Sequence, residues 1–314
     1  MNKTFLGLDF GGTKLMIGEV DSQGTILRSK QYPTGFCTQQ QAYSIMCSSL
    51  DDYLADGYYE GLRPEAMGVG LIGRINSETG QWLQIDPKRD ENLCLATLLS
   101  ERYELPCYID NDVKSATRAE MLWGQGKEMR HFVYINVGTG IAAGAVVDGQ
   151  VVRGAHFDAG EVGYMISNVK INPTICRENI EDVASGSGFD YCARLLNHEY
   201  PDSILSLPNE GRVDVRDVFA GCKKGDVLCQ LLVENAAESL ATLINNMIRA
   251  FDPEGIILGG GVVADGFLLG LVKQKIKPET TRFLSHDIVL THLDPHFIGL
   301  LGAAAVAHGT LNNK

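Results

Sequence analysis

Positive charge is in short supply in this chain. Its 314 residues carry 27 Lys and Arg against 39 Asp and Glu, a formal balance of −12. No basic run interrupts that balance, which excludes an extended surface for nucleic acid or another polyanion. Uninterrupted apolar sequence is also scarce. Nothing approaches the ~20 residues that a membrane-crossing helix requires, so no membrane partner is expected. Only Met1–Thr4 precede the first strand-like run, which leaves no room here for a signal peptide or a DNA-binding arm. The eight cysteines (Cys37, Cys47, Cys94, Cys107, Cys176, Cys192, Cys222, Cys229) include no CxxC pair. Scattered in this way, they read as reduced thiols, mostly buried as small hydrophobes, rather than as a disulfide framework. Low-complexity tracts and an interdomain linker are missing too. These absences point to a soluble, cytoplasmic chain, and its length suggests roughly two domains joined by short connections.

What is present is organised around Phe5–Val20, FLGLDFGGTKLMIGEV. An apolar run leads into Asp9, then Gly11-Gly12-Thr13-Lys14, then a second apolar run: two strands and a tight turn, a β-hairpin. Side-chain-free Gly11 and Gly12 let backbone N–H groups approach an anion, and Thr13 and Lys14 add a hydroxyl and a charge. Asp9, at the strand end, is placed to hold hydrated Mg²⁺ beside phosphate. A lone Gly-Gly hairpin turn is more often structural. The pattern recurs, however, as FVYINVGTGIAAGAVV over Phe132–Val147, with Gly138-Thr139-Gly140 as its turn. The offset is 127 residues, and at that offset Asp21 falls on Asp148. Repetition on this scale implies two related halves, each offering a phosphate-cradling hairpin to a shared cleft. That arrangement resembles the sugar kinase, actin and heat-shock ATPase superfamily.

Between and after the hairpins, strands alternate with helices, the pattern of an α/β fold. A third strand is expected at Thr25–Lys30, a helix over Thr38–Ala55, a buried strand over Ala66–Ile72 closed by Gly73, and a turn at Asn76–Gly80. Asp86–Asn92 reads as a polar loop, Leu93–Arg102 as helix, Cys107–Ile109 as strand and Asp112–Leu122 as helix. In the second half, Gly154–Tyr164 is a glycine-punctuated loop and Ser167–Glu178 is irregular. A helix covers Phe189–His198 and a surface loop Tyr200–Gly211. Apolar positions recurring at three and four make Asp226–Phe251 a long buried helix. A buried strand then runs into Gly259-Gly260-Gly261, and Ile298–His308, rich in Ala and Gly, closes the chain as a close-packing helix.

Several clusters can carry chemistry. Asp110-Asn111-Asp112 stands where a strand enters a helix. Its polar groups serve either as an N-cap or as catalytic equipment, with Asp112 a general base toward a hydroxyl and Asn111 a holder of neighbouring hydroxyls. Glu161, between Gly160 and Gly163, is either a solvated loop residue or an acceptor for two vicinal hydroxyls. Glu181 has the same carbohydrate reading beside that of a helix-terminal charge. Gly259–Gly261 is either a tight turn or bare backbone against which an adenine lies.

The set LDFGGTK, GLIGRINSETG, DNDVKSATRAE, NVGTGIAAGAVVDGQVVRG, AGEVGY, EDVASGSG and LGGGV, in this order, resembles the ROK family (repressors, open reading frames, kinases). The resemblance runs from Phe5 to the closing helix. It implies an α/β fold of two actin-like (ribonuclease H-like) domains flanking a nucleotide and sugar cleft. The expected domains are 1–120, joined by the helix 299–314, and 121–298. It further implies ATP and Mg²⁺ as cofactors, a small-molecule sugar substrate, a homodimer, and phosphorylation of a hexose or N-acetylhexosamine. By position, Asp112 falls on the family's catalytic Asp and Asn111 on its sugar-binding Asn, with Gly73 alongside in GLIGR. Glu161 and Glu181 fall on sugar-contacting carboxylates. Asp9 and Gly11–Lys14, Gly138–Gly140 and Gly259–Gly261 fall on the nucleotide motifs.

The departures are specific. Where the family commonly has Glu-x-Gly-His, this chain has Tyr164, and the segment before Glu181 holds only Cys176 in place of a multi-cysteine zinc motif. One thiolate and a phenol do not make a tetrahedral zinc site, so zinc is not expected. Tyr164 is expected either to cover the sugar or to pack over Met165 or Ile166. Ala142 stands where a Gly is usual. The preferred reading is an ATP-dependent hexose kinase of glucokinase or fructokinase type. The alternatives are a sugar-sensing regulator, which would carry an added DNA-binding region, and a sugar-binding pseudokinase without turnover.

Overall fold

The first apolar runs pair as their alternation requires. β1 (Thr4–Phe10) and β2 (Lys14–Asp21) are antiparallel, with Phe10 opposite Leu15, and β3 (Ile26–Pro33) adds to β2. Leu6, Leu8, Phe10, Leu15 and Ile17 point to one face, and Phe5, Met16 and Val20 to the other, the two-residue period of a strand buried on both sides. These features come from a computed structural model that describes residues 3–85, 91–170 and 176–312. It divides the chain into two units: Met1–Glu128 with Val151–Ala159 and His292–Lys314, and Met129–Gln150 with Gly160–Thr291.

In the first unit, α1 (Gln39–Leu54) begins at a capping box, Thr38 and Gln41 each bonding the other's backbone. It covers the Leu6/Leu8 face together with Leu95 and Leu99, and that core encloses the fully buried Trp82. β4 (Ala66–Leu71) lies parallel to β1. After the small hairpin β5 (Arg74–Asn76) and β6 (Gln81–Gln84) and the helix α2 (Leu95–Tyr103), β7 (Cys107–Asn111) lies parallel to β4. The strand order is β3-β2-β1-β4-β7. β7 passes directly into α3 (Asp112–Trp123). The opposite face is sealed by the closing helix Ile298–Asn312. It approaches so closely that a Cβ on Gly68 would sit 1.9 Å from the Ala303 carbonyl oxygen, which explains the Ala- and Gly-rich composition there.

The units differ in extent from the division at 120/121 and 299 expected from sequence, and side-chain contacts show why. The Trp123 indole donates to the Ser22 carbonyl and the Trp123 carbonyl meets His292 Nε2, at 3.3 and 3.1 Å. Val151–Ala159 is tied back by Arg153 to Glu78 and by Lys114 to the Phe157 carbonyl.

The second unit repeats the first sheet. β8 (Phe132–Val137) and β9 (Ile141–Val147) form the hairpin, β10 (Gln150–Val151) extends it, and β13 (Gly255–Gly259) and β14 (Ile288–Leu290) lie parallel beyond β8. The order β10-β9-β8-β13-β14 matches that of the first unit strand for strand. The repeat is not uniform: Val137 pairs with Ile141 where Phe10 pairs with Leu15, so the second turn is one residue tighter. Asp21 is consequently a strand residue whose carboxylate holds the amides of Gln23 and Thr25. Asp148, at the 127-residue offset, is instead a turn residue with φ 52°.

Ser167–Glu178, expected to be irregular, contributes an antiparallel pair, β11 (Ile166–Lys170) and β12 (Cys176–Asn179). Its alternation is too polar to read as strand. The expected loop at Asp86–Asn92 lies mostly outside the described residues. Then follow α4 (Glu181–Ala184), α5 (Gly186–Leu196), α6 (Val215–Lys223), α7 (Val227–Phe251), β13 (Gly255–Gly259), α8 (Phe267–Lys275), α9 (Pro278–Thr281) and β14 (Ile288–Leu290). By length and composition α7 could cross a membrane, against the sequence expectation. Its apolar positions Leu228, Leu232, Leu240, Leu243, Ile244 and Met247 are instead buried in this unit, with Glu234 and Glu238 on the exposed side.

Candidate active site

In the first unit, three sequence-predicted residues converge at the ends of β1 and β7. At Asp110-Asn111-Asp112 the three side chains take different partners. Asn111 is the N-cap, its Oδ1 accepting from the amides of Val113 and Lys114 at 3.1 and 3.2 Å, while its Nδ2 donates to the Gly73 carbonyl at 3.2 Å. Gly73 thus supports Asn111 and leaves one of its amide hydrogens for a ligand. Asp110 is buried and paired with Arg118 Nε at 3.1 Å, a structural role. Asp112 is left with the Val113 amide at 2.9 Å as its hydrogen-bond donor. Burial pushes its carboxyl up to about 6; the charge of Asp9 adds to this, and the Val113 amide and Lys114 oppose it. A carboxyl poised there is ionised at neutral pH and still basic enough to take a proton.

Asp9, opposite Met16 in the hairpin, is likewise pushed up to about 6 by burial, with Lys14 opposing. Its carboxylate rests on the first turn of the closing helix: a Cβ at Gly299 would sit 2.1 Å from Asp9 Oδ2. That contact spans almost the whole sequence, and no local signal announces it. Two desolvated carboxylates, with Asp9 further raising Asp112, concentrate negative charge that a hydrated divalent cation would relieve. Of the turn itself, the Gly11 amide is spent on the Lys14 carbonyl at 2.9 Å and Thr34 Oγ donates to the Gly11 carbonyl at 2.9 Å. Gly12 and Thr13 stay exposed.

In the second unit, the Gly138–Gly140 turn is braced from several sides. Gly138 N–H donates to the Gly140 carbonyl, and the Gly186 and Ser187 amides at the start of α5 donate to the carbonyls of Gly138 and Thr139. Glu181 Oε2 accepts from the Ile141 amide at 2.7 Å, directly beside Gly140 and Gly163. Glu161 is exposed and opens the single turn Val162–Tyr164. The loop before it is docked where the Ala143 amide meets the Gly160 carbonyl at 2.8 Å. Tyr164 is 63% exposed, and Met165 and Ile166 are exposed with it, so Tyr164 is not a core aromatic. Among the described residues no group of three or more His, Cys, Asp or Glu could hold a metal ion.

A cavity of about 540 Å³ in this unit is lined by Gly138, Thr139, Arg212, Asp214, Phe219 and Gly261, among others. It therefore joins the second turn to the glycine run after β13, where Gly260 sits at φ 93°. The Arg212–Arg216 wall has no counterpart in the sequence reading. Asp214 followed by apolar Val215, Val218 and Phe219 is the cap-and-stripe signature that could have located α6.

Two sheets of matching topology, each with a Gly/Thr turn at its first hairpin, define the actin-like ATPase fold. The ROK family profile matches residues 5–310, and the chain belongs to the ROK family. It is 28% identical over 284 residues to a glucokinase of Halalkalibacterium halodurans, covering 87% of this chain and 85% of that one. It is also 28% identical over 312 residues to an N-acetylmannosamine kinase of Shigella boydii, covering 98% and 99% of the two chains. A ROK family glucokinase of Streptomyces griseus, solved with glucose and AMPPNP, superposes with a TM-score of 0.76 at 24% identity, covering 98% of this chain and all of that one.

Proposed function

We propose that the protein transfers the γ-phosphoryl group of ATP to a hydroxyl of a hexose or N-acetylhexosamine. The observation that carries this reading is Asp112: a carboxylate at a helix start, free of the cap that Asn111 supplies, and poised near pH 6. Kinship with enzymes named glucokinase and N-acetylmannosamine kinase supports it.

Asp112 accepts the proton of the attacking hydroxyl, whose oxygen then displaces ADP from the γ-phosphorus; the catalytic demand is positioning and charge neutralisation. Asn111, Gly73, Glu161, Tyr164 and Glu181 are assigned to the acceptor, Glu181 through a carboxylate already oriented by the Ile141 amide. Gly11–Lys14 and Gly138–Gly140 are assigned to the phosphates, and Gly259–Gly261 with the cavity beside it to the adenosine. Mg²⁺, held indirectly by Asp9, would neutralise phosphate charge. A cytoplasmic homodimer is part of the same proposal.

The test is a coupled ADP-release screen over a panel of hexoses, N-acetylhexosamines and β-glucosides, with Asp112→Asn as the control. Turnover of one class by the wild type alone supports the proposal. Sugar binding without turnover of any member would establish a sugar-binding pseudokinase instead.

A further inference from the structure

Val151–Ala159 belongs to the first unit, whereas the residues on either side of it, up to Gln150 and from Gly160, belong to the second. Two cations hold it. Arg153 Nη1 lies 3.1 Å from Glu78 Oε1 in an exposed pair, the kind of contact that contributes little by itself. Lys114 is another matter. It lies in the first turn of α3, two residues beyond Asp112, and is only 3% exposed. Its Nζ donates to the Phe157 carbonyl at 3.4 Å, its one hydrogen bond among the described residues.

An ammonium has three donors, and burying it with one long bond is unfavourable next to an apolar side chain of similar length. The carbonyl it reaches belongs to a residue at φ 62°, a region that bulky L-residues rarely adopt. The loop is closed on itself by the Phe157 amide to Gly154 and the Ala159 amide to Arg153. A buried charge and an aromatic residue in a strained backbone region thus meet at one carbonyl. Glu161 follows it by four residues. The charge of Lys114 lowers the pKa of Asp112, but its Nζ is bonded to the Phe157 carbonyl and not to that carboxylate, and the phosphate assignments do not include it.

We propose that Lys114 is a positioning residue for the acceptor: by holding the Phe157 carbonyl it fixes the loop 154–159, and with it the course of the chain into Glu161. This rests on the assignment of Glu161 to the acceptor. Lys114 touches no substrate, so its loss shows in acceptor binding and loop order rather than in nucleotide binding.

The experiment compares Lys114→Met, Lys114→Arg and Arg153→Gln by steady-state kinetics with the acceptor found in the panel and by amide hydrogen exchange over 154–161. Lys114→Met is expected to raise acceptor KM about 10-fold or more with ATP KM within about twofold. It should also speed exchange in this loop by about 10-fold. Lys114→Arg should recover most of both effects, and Arg153→Gln should move them the same way by about threefold. Unchanged exchange in Lys114→Met overturns the proposal. So does a fall in kcat with acceptor KM unaltered, which would mean that Lys114 acts on Asp112 through its charge. Should Lys114→Met not fold, unchanged exchange and acceptor KM in Arg153→Gln overturn it. If no sugar is turned over, the kinase reading fails while the exchange comparison still decides whether Lys114 holds the loop.

Discussion

In the first unit the Gly/Thr turn follows a carboxylate, Asp9. In the second, the residue at the 127-residue offset is the neutral amide Asn136. The two turns differ in support as well. Gly12 and Thr13 are exposed on a turn closed by one backbone bond and by Thr34. Gly138–Gly140 is one residue tighter and braced by Glu181 and by the start of α5. One hairpin therefore carries a desolvated carboxyl with Asp112 close enough to feel its charge, and the other carries a fixed set of backbone dipoles. On the proposed function, a single supersecondary unit used twice serves cation and proton chemistry in one copy and anion binding in the other.

The largest effect should come from removing the charge that the first unit concentrates. Asp112→Asn keeps the shape of the side chain and deletes the base, and kcat should fall by about 10²–10⁴ with acceptor affinity changed much less. In the wild type, log kcat should decline below about pH 6 as Asp112 protonates. Near-wild-type turnover by Asp112→Asn would take this residue out of the mechanism.

Next in size is the exchange that makes the first hairpin resemble the second. Asp9→Asn should lower turnover at fixed Mg²⁺ by roughly 10–100-fold and raise the Mg²⁺ concentration needed for half-maximal rate. An unaltered Mg²⁺ dependence would show that Asp9 serves the closing helix at Gly299 and not a cation. The reverse exchange, Asn136→Asp, places negative charge by the anion cradle. It should raise ATP KM by about 3–10-fold, an effect that shrinks with added salt. Equal nucleotide affinity in the two proteins would remove the contrast between the turns.

How legible this was depended on the range of the interactions. The hairpins, the helix α1 and α7 were readable because their signals are local, alternation in the strands and an apolar stripe in the long helix. At Asp110-Asn111-Asp112 the position was readable and the division of labour was not. Which of three neighbouring polar residues caps, which pairs and which stays free depends on Arg118 and Gly73. The contact of Gly299 with Asp9 and the docking of Val151–Ala159 join residues far apart in sequence, and no window of a single chain displays them. β11 and β12 were missed because a polar hairpin has too few apolar positions for its period to register.

The smallest expected effect is on stability, and it requires no substrate. Asp9 and Asp112 both titrate near 6 in the folded protein against 3.8 as free groups. The folded state therefore binds these protons more tightly than the unfolded state does. Their contribution favours folding below about pH 4, and it is lost as pH rises through the window from about 4 to 6. Above that window the two desolvated carboxylates, Asp112 also feeling the charge of Asp9, destabilise the fold by roughly 3 kcal/mol each. Asp112→Asn removes one of these charges. Its melting temperature should exceed that of the wild type by a few degrees (about 2–6 °C) at pH 7.5, and the gap should close toward pH 5. Asn136→Asp should do the opposite, melting below the wild type at pH 7.5. Thermal melts of the three proteins at both pH values decide the matter. A wild type more stable than Asp112→Asn at pH 7.5 would mean that the charge at Asp112 is compensated in the folded chain. The contrast between a strained first hairpin and a relaxed second one would then be lost.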